Sequence, residues 1–231
     1  HIIVHSCQLH LNYNYRKKIE SGLIMLNDFN EILEGRKSVK GFDPDYKISH
    51  EEMNEMIAKA TKAPSSVNMQ PWRFVVVESD EAKAKLRPLI QFNTNQNDTS
   101  SAMIVIFGDL QCYEEGEYIY EQAVVNGHMP QEVKEQMLPI VLENYKNRTR
   151  QSMNDIVKVD SSLAAMQLML VAKQHGYDTN PIGGFEHEEI GKAFGYDLER
   201  YVPVMIVAIG KKAKEAHTSF RMPVDRVIDY K

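Results

Sequence analysis

Ala63-Pro64-Ser65-Ser66-Val67-Asn68-Met69-Gln70-Pro71-Trp72 is the stretch that organises this chain of 231 residues. Its prolines stiffen it, because each fixes φ and removes a backbone donor. Two hydroxyls and two carboxamides stand between Pro64 and Pro71, and a β-rich run over residues 73–78 follows at once. Carboxamides both donate and accept hydrogen bonds, so Asn68 and Gln70 suit a ligand edge on which donors and acceptors alternate. A plain capped turn with Trp72 in the core accounts for Pro64, Ser65 and Trp72. It leaves Asn68 and Gln70 together without a reason.

Outward from this segment the chain alternates helices and strands. Upstream, Ser49-His50-Glu51-Glu52 has the spacing of a capping box, and Met53, Met56, Ile57 and Ala60 line one face of the helix that stops before Pro64. A short amphipathic helix over residues 28–34 carries Phe29, Ile32 and Leu33, with Gly35 as the left-handed residue that ends it. Downstream, residues 73–78 and 102–107 read as buried strands around a helix over residues 80–90. Residues 111–153 are polar, aromatic and helical in tendency, broken at Gly127 and Pro130, an excursion able to roof a site. Ile156, Val159, Leu163, Met166 and Leu170 recur near a heptad spacing along a helix that closes at Gly176; being apolar on more than one side, it is expected to be buried. A helix over 186–194, a third buried strand over 202–209 and an extended segment over 220–227 complete the series. Neither repeat nor long linker divides it, so one layered α/β or α+β domain is expected over residues 25–231. Residues 1–24, of mixed polarity, read as an extension or cloning remnant, in which His1, His5 and His10 are incidental.

Composition narrows the function classes. Hydrophobic residues at 43% and charged residues at 26% are ordinary for a globular domain. The longest apolar runs, 163–172 and 202–209, are far below the roughly 20 residues of a membrane span, so no membrane partner is expected. A net charge of −5 argues against a nucleic-acid binder. Cys7 and Cys112 form no C-x-x-C pair, which suits a reducing, cytoplasmic setting and offers no metal motif. The signatures G-x-S-x-G, G-x-x-x-x-G-K-[ST] and G-x-G-x-x-G are absent. His50-Glu51-Glu52 and His187-Glu188-Glu189 lack the second histidine of a zinc helix and read as helix starts with dipole-compensating carboxylates. No metal site is assigned.

Three further elements stand beside the opening stretch. Gly35-Arg36-Lys37-Ser38-Val39-Lys40-Gly41-Phe42 alternates cations with a hydroxyl, so Arg36, Ser38 and Lys40 can converge from one extended face on a phosphate; alternatively its cations simply offset the preceding helix end. Asn180-Pro181-Ile182-Gly183-Gly184-Phe185 is a loop whose paired glycines let a planar ligand approach the backbone. Arg221, in Ser219-Phe220-Arg221-Met222-Pro223, is a cation in an extended segment. Alone, the last two would pass for an ordinary loop and a surface arginine.

In this order the four elements resemble the nitroreductase family, and the likeness runs from about Leu26 to Lys231. The resemblance implies an α+β fold: a three-layer sandwich, mostly antiparallel in its central sheet, flanked by helices, with a C-terminal strand over residues 224–230 exchanged in a homodimer. The long helix would lie at the dimer interface. It implies FMN as cofactor and NADH or NADPH as co-substrate, with hydride passing through flavin N5 to a nitroaromatic, quinone or related small-molecule acceptor in a ping-pong scheme. Arg36, Lys37, Ser38, Lys40 and Arg221 would hold the phosphate and ribityl chain. Pro64, Ser65, Ser66, Asn68 and Gln70 would come from the other subunit. Pro181, Ile182, Gly183 and Gly184 would back the ring, the Gly183 N–H lying near N5, and no side chain is nominated as catalytic acid or base. Two departures stand out: Ser219 where relatives often carry a second cation, for which Lys211 or Lys212 would compensate, and Gly183 where some carry glutamate. The same architecture also resembles flavin reductases, dehalogenating enzymes and flavin-fragmenting enzymes, and a flavin-binding protein without turnover is the rival from another class.

Overall fold

The computed structural model describes residues 28–231; the expected extension over residues 1–24, with Cys7 and the three early histidines, lies outside them. Strands β1 (Trp72–Val77), β2 (Ala102–Asp109), β3 (Asp178–Ile182) and β4 (Tyr201–Gly210) form one antiparallel sheet in the order β1-β2-β4-β3. Around it lie helices α1 (Phe29–Gly35), α2 (His50–Ala60), α3 (Asp80–Leu86), α4 (Thr94–Thr99), α5 (Gly116–Val125), α6 (Gln131–Lys146), α7 (Arg150–Gln174) and α8 (His187–Phe194).

Strand β2 is buried along its whole length, which explains an apolar run without polar alternation: both faces are covered. On one face Ile104, Ile106, Val207 and Ile209 pack against Met53, Met56 and Ala60 of α2 and Ala165, Leu168 and Ala172 of α7. On the other, Met103, Val105, Phe107, Ile206 and Ala208 meet Val39, Leu86, Ile90, Phe185 and Ile190. The result is the expected three-layer α+β sandwich.

Helix α7 spans 25 residues, about 37 Å at the helical rise. It packs closely on the sheet: a Cβ added at Gly108 of β2 would lie 2.6 Å from Val157 Cγ2. The burial expected on its other side is not met within one chain, for Val159 is 61%, Leu163 44% and Met166 37% exposed. Within residues 111–153 the chain forms helices α5 and α6, parted at Gly127 with φ 72° and at the N-cap Pro130. They pack on Met69, Leu110 and Cys112 through Tyr120, Leu138, Val141 and Tyr145.

Several local expectations change. Pro181 and Ile182 belong to edge strand β3 instead of a loop, and an edge is where proline costs no ladder bond. Gly35 stays helical and Arg36 is the extended cap, whereas Gly176, with φ 83°, does end α7. Ser49 Oγ accepts the Glu52 N–H at 3.2 Å, but the Glu52 carboxylate turns to Tyr177 and His175, so the capping box is half formed. The helix expected over 80–90 ends at Leu86 and tightens into a 3-10 turn at Arg87–Leu89. Within a single chain the segment expected as a C-terminal strand holds a 3-10 turn at Val224–Arg226, since it has no strand beside it to supply a ladder.

Candidate cofactor site

The opening stretch folds as a strained loop ahead of β1. Val67, Asn68 and Gln70 adopt φ of 44°, 59° and 47°, left-handed values that cost a β-branched residue most. Such strain persists only where the surroundings over-determine it, and here they do. The Ser66 N–H donates to Asp160 Oδ2 at 2.9 Å and its hydroxyl to Asp160 Oδ1 at 3.2 Å, while Tyr145 Oη donates to the Ser66 carbonyl at 3.2 Å. The Gln70 N–H donates to Ser65 Oγ at 3.1 Å. Met69 and Trp72 are buried, Trp72 against Ala63 and Ala164, so the core role of Trp72 and the odd loop before it coexist. Pro64, Ser66, Val67 and Asn68 are exposed.

Beyond the loop, Arg73 donates to the carbonyls of Gln70 and Trp72 at 3.2 and 3.0 Å and to Asp109 Oδ2 at 2.9 Å. The fully buried Asp109 also receives Arg200 at 2.9 Å, and this bond is the main reason the Arg200 guanidinium is held above its ordinary value. The ends of β1, β2 and β4 are pinned beneath the loop.

The basic tract runs beside β3. Ser38 and Thr179 form a parallel bridge, the Val39 N–H donates to the Thr179 carbonyl at 3.0 Å, and Val39 is buried. Lys37, Ser38 and Lys40 are exposed and Arg36 half-buried. None of the three cations forms an ion pair among the described residues. Strand β3 delivers Gly183 and Gly184 next to this tract, both exposed, and a Cβ added at Gly183 would meet nothing within 4 Å.

Sequence reasoning missed the polar segment that ties these pieces together. Asn95 Nδ2 donates to the Lys40 carbonyl, Gln96 Nε2 to Asn93 Oδ1 at 3.1 Å and to Asn180 Oδ1 at 3.4 Å, and Asn93 Nδ2 to the Gly184 carbonyl at 3.5 Å. Its signal was available in Asn93, Asn95, Gln96 and Asn97, carboxamides as dense as those in the opening loop.

One chain does not bring all four elements together. The loop rests on Asp160 of α7, whereas a Cβ at Gly35, where the basic tract begins, would lie 3.2 Å from Lys173 Cε. Those positions are thirteen residues apart on one helix, about 20 Å along its axis. Arg221 is exposed, donating to Ser219 Oγ at 2.7 Å and the Phe220 carbonyl at 3.2 Å. Neither expected substitute cation stands free: Lys211 Nζ lies 5.3 Å from the Tyr46 ring centroid, and Lys212 pairs with Glu215 at 2.7 Å.

A family model described as the nitroreductase family matches residues 33–211, which span the basic tract, the strained loop and the glycine pair. The chain belongs to the nitroreductase family. It is 49% identical to the Bacillus subtilis protein YdgI, provisionally named an NAD(P)H nitroreductase, over 90% of this chain and all of that one. A Staphylococcus epidermidis crystal structure, provisionally described as an NAD(P)H:FMN oxidoreductase, superposes with a TM-score of 0.89 at 60% identity, covering 90% of this chain and 98% of that chain. An Exiguobacterium sibiricum structure in complex with FMN, provisionally described as a nitroreductase, gives a TM-score of 0.88 at 48% identity, covering 90% and 100%. In this nitroreductase-family chain no cluster of metal-ligating side chains occurs among the described residues, and none of their helices is long and apolar enough to cross a membrane.

Proposed function

We propose that this chain is an FMN-dependent oxidoreductase, acting as a homodimer, that carries reducing equivalents from NADH or NADPH to a nitroaromatic, quinone or related small acceptor. The observation that carries this reading is the juxtaposition of three cations, without an ion pair among the described residues, with an exposed glycine pair, while the complementary loop stands about 20 Å away in the same chain. The relatives named above, one bound to FMN and one described as an NAD(P)H:FMN oxidoreductase, support it.

The residues fit the cofactor. Arg36, Lys37, Ser38 and Lys40 offer charge and donors to a phosphate dianion, and among the described residues no carboxylate pairs with these cations. Gly183 and Gly184 present bare backbone to a flat ring, with Pro181 and Ile182 leading into them and the Gly183 N–H as a donor. Pro64, Ser65, Ser66, Asn68 and Gln70 of a second copy complete the site with hydroxyls and carboxamides. Arg221 arrives on a C-terminal segment whose Val224, Val227 and Tyr230 are 70%, 64% and 86% exposed. Those side chains and the bare stripe of α7 form apolar surface that a second copy would cover, with residues 224–230 joining its sheet edge. When bound, FMN would supply the hydride chemistry at N5 that links a nicotinamide to the acceptor. The protein positions both partners; no side chain is assigned as acid or base. The buried thiol of Cys112 suits a reducing cytoplasm.

The test is the absorption spectrum of purified protein, followed by anaerobic addition of NADH and of NADPH and by turnover with nitrofurazone, a quinone and free FMN. Flavin bands that bleach with a nicotinamide and return with an acceptor support the reading. Turnover of FMN alone makes the chain a flavin reductase, and bound flavin that never bleaches makes it a binding protein without turnover. A colourless protein that refuses FMN contradicts the proposal.

A further inference from the structure

We infer that Asp160 is a positioning residue for the cofactor: by taking the single hydroxyl proton of Ser66, it makes the loop present Ser66 as a pure acceptor beside Ser65 as a donor. The inference rests on the proposed FMN site. Its geometry is closed. Both Asp160 oxygens are occupied by Ser66, the N–H at 2.9 Å and the hydroxyl at 3.2 Å. Ser65 is the opposite case, because its Oγ accepts the Gln70 N–H at 3.1 Å and keeps its own proton for a ligand. Ser66 lies exposed at the mouth of the loop while Asp160 is 3% exposed.

A carboxylate is an expensive choice at this position. Asp160 forms no ion pair among the described residues, and burial pushes its carboxyl above the ordinary value against the opposing pull of Ser66. Holding the loop shape alone needs only an acceptor for the Ser66 N–H, which an asparagine provides. Accepting the N–H and the O–H together, with no donor offered back, needs the ionised acid. An asparagine's NH2 would instead donate to Ser66 Oγ and turn the serine proton outward.

Two titratable groups facing Asp160 stay neutral through the working range. Tyr145 of α6 and Cys112 of the turn after β2 are both pushed up to about 12, chiefly by burial. Arg73 and Asp109, beyond Cys112, are paired with each other at 2.9 Å, and Lys158 on α7 itself is exposed. Protonation of Asp160 is therefore the event that reverses Ser66. The serine is acceptor-only above the raised pKa, and that polarity is lost as pH falls through it.

The experiment compares FMN dissociation constants of the wild-type dimer, Asp160→Asn and Ser66→Ala by flavin fluorescence from about pH 8 to about pH 5, with melting temperatures of the flavin-free proteins. The ratio of variant to wild type at each pH cancels the phosphate's own titration. Asp160→Asn is expected to bind FMN about ten-fold more weakly at the upper pH, the worth of one hydrogen bond, with the difference narrowing as the pH falls and Asp160 takes up its proton. Its melting temperature should be unchanged or higher, because a buried unpaired charge has been removed. Ser66→Ala should likewise show a ratio that falls toward one with pH. Equal affinity of Asp160→Asn and wild type at the upper pH overturns the inference, as does weakening that tracks a lowered melting temperature, the mark of a purely structural role. A wild-type protein that takes up no FMN overturns the proposed function as well.

Discussion

Ser38 and Thr179 lie across a parallel bridge from each other, and this contact fastens the basic tract to the strand that leads into Gly183. The Thr179 hydroxyl is buried with no partner among the described residues, and the bridge is held by backbone: the Val39 N–H reaches the Thr179 carbonyl at 3.0 Å. The basic side chains proposed for the phosphate and the glycine backbone proposed for the ring are thus set against each other by the fold.

Since their side chains make no ion pair among the described residues, Arg36 and Lys40 can be removed without cost to folding. Arg36→Ala with Lys40→Ala should lower FMN affinity by at least about ten-fold, the worth of one charge-assisted hydrogen bond. The melting temperature of the flavin-free protein should not move. Titration of the flavin-free double variant with FMN, beside thermal melts, checks both statements.

Asn68 separates chemistry from backbone. It sits at φ 59°, where asparagine is tolerated, glycine is free and alanine costs roughly 1 kcal/mol. Asn68→Gly should therefore lose flavin without losing stability, and Asn68→Ala should lose both. Flavin occupancy after gel filtration, together with denaturant midpoints, distinguishes the two variants. Full occupancy in Asn68→Gly would make Asn68 a turn residue.

Two glycines make opposite predictions. A Cβ at Gly108 would fall 2.6 Å from Val157 Cγ2, whereas one at Gly183 would meet nothing within 4 Å. Gly108→Ala overpacks the contact of α7 with β2 and should cost about 1–3 kcal/mol. Gly183→Ala should leave the denaturant midpoint unchanged while reducing FMN affinity, because the added methyl stands where the ring is to lie.

Asp109 is buried beneath two guanidiniums that are each less than one-third exposed. Asp109→Ala leaves Arg73 and Arg200 without their shared partner and should destabilise the fold by about 3 kcal/mol. Urea unfolding measures it, and a change under 1 kcal/mol would demote the triad to surface chemistry.

Apolar runs and proline-bounded loops were legible in the sequence: β2 and β4 announced themselves by hydrophobicity, and residues 63–72 by two carboxamides that a plain capped turn does not call for. Strand β3 was not, because Asp178, Thr179 and Asn180 are polar yet buried, and pairing with β4 makes them a strand without an apolar pattern. The segment Asn93 to Asn97 escaped for a related reason: its value lies in bonds to Asn180, Gly184 and Lys40, far away in sequence. The second apolar side of α7 was visible, but periodicity cannot say whether the same chain or another covers it.

A site divided between two chains is the central claim, and complementation tests it most directly. One variant carries Arg36→Ala and Lys40→Ala, the other Asn68→Gly and Ser65→Ala, and neither homodimer should retain FMN. Co-expressed with different tags and purified through both, the mixed dimer has one site with both halves intact. The account predicts one bound FMN per mixed dimer, reducible by a nicotinamide; mixed dimers devoid of flavin would contradict it.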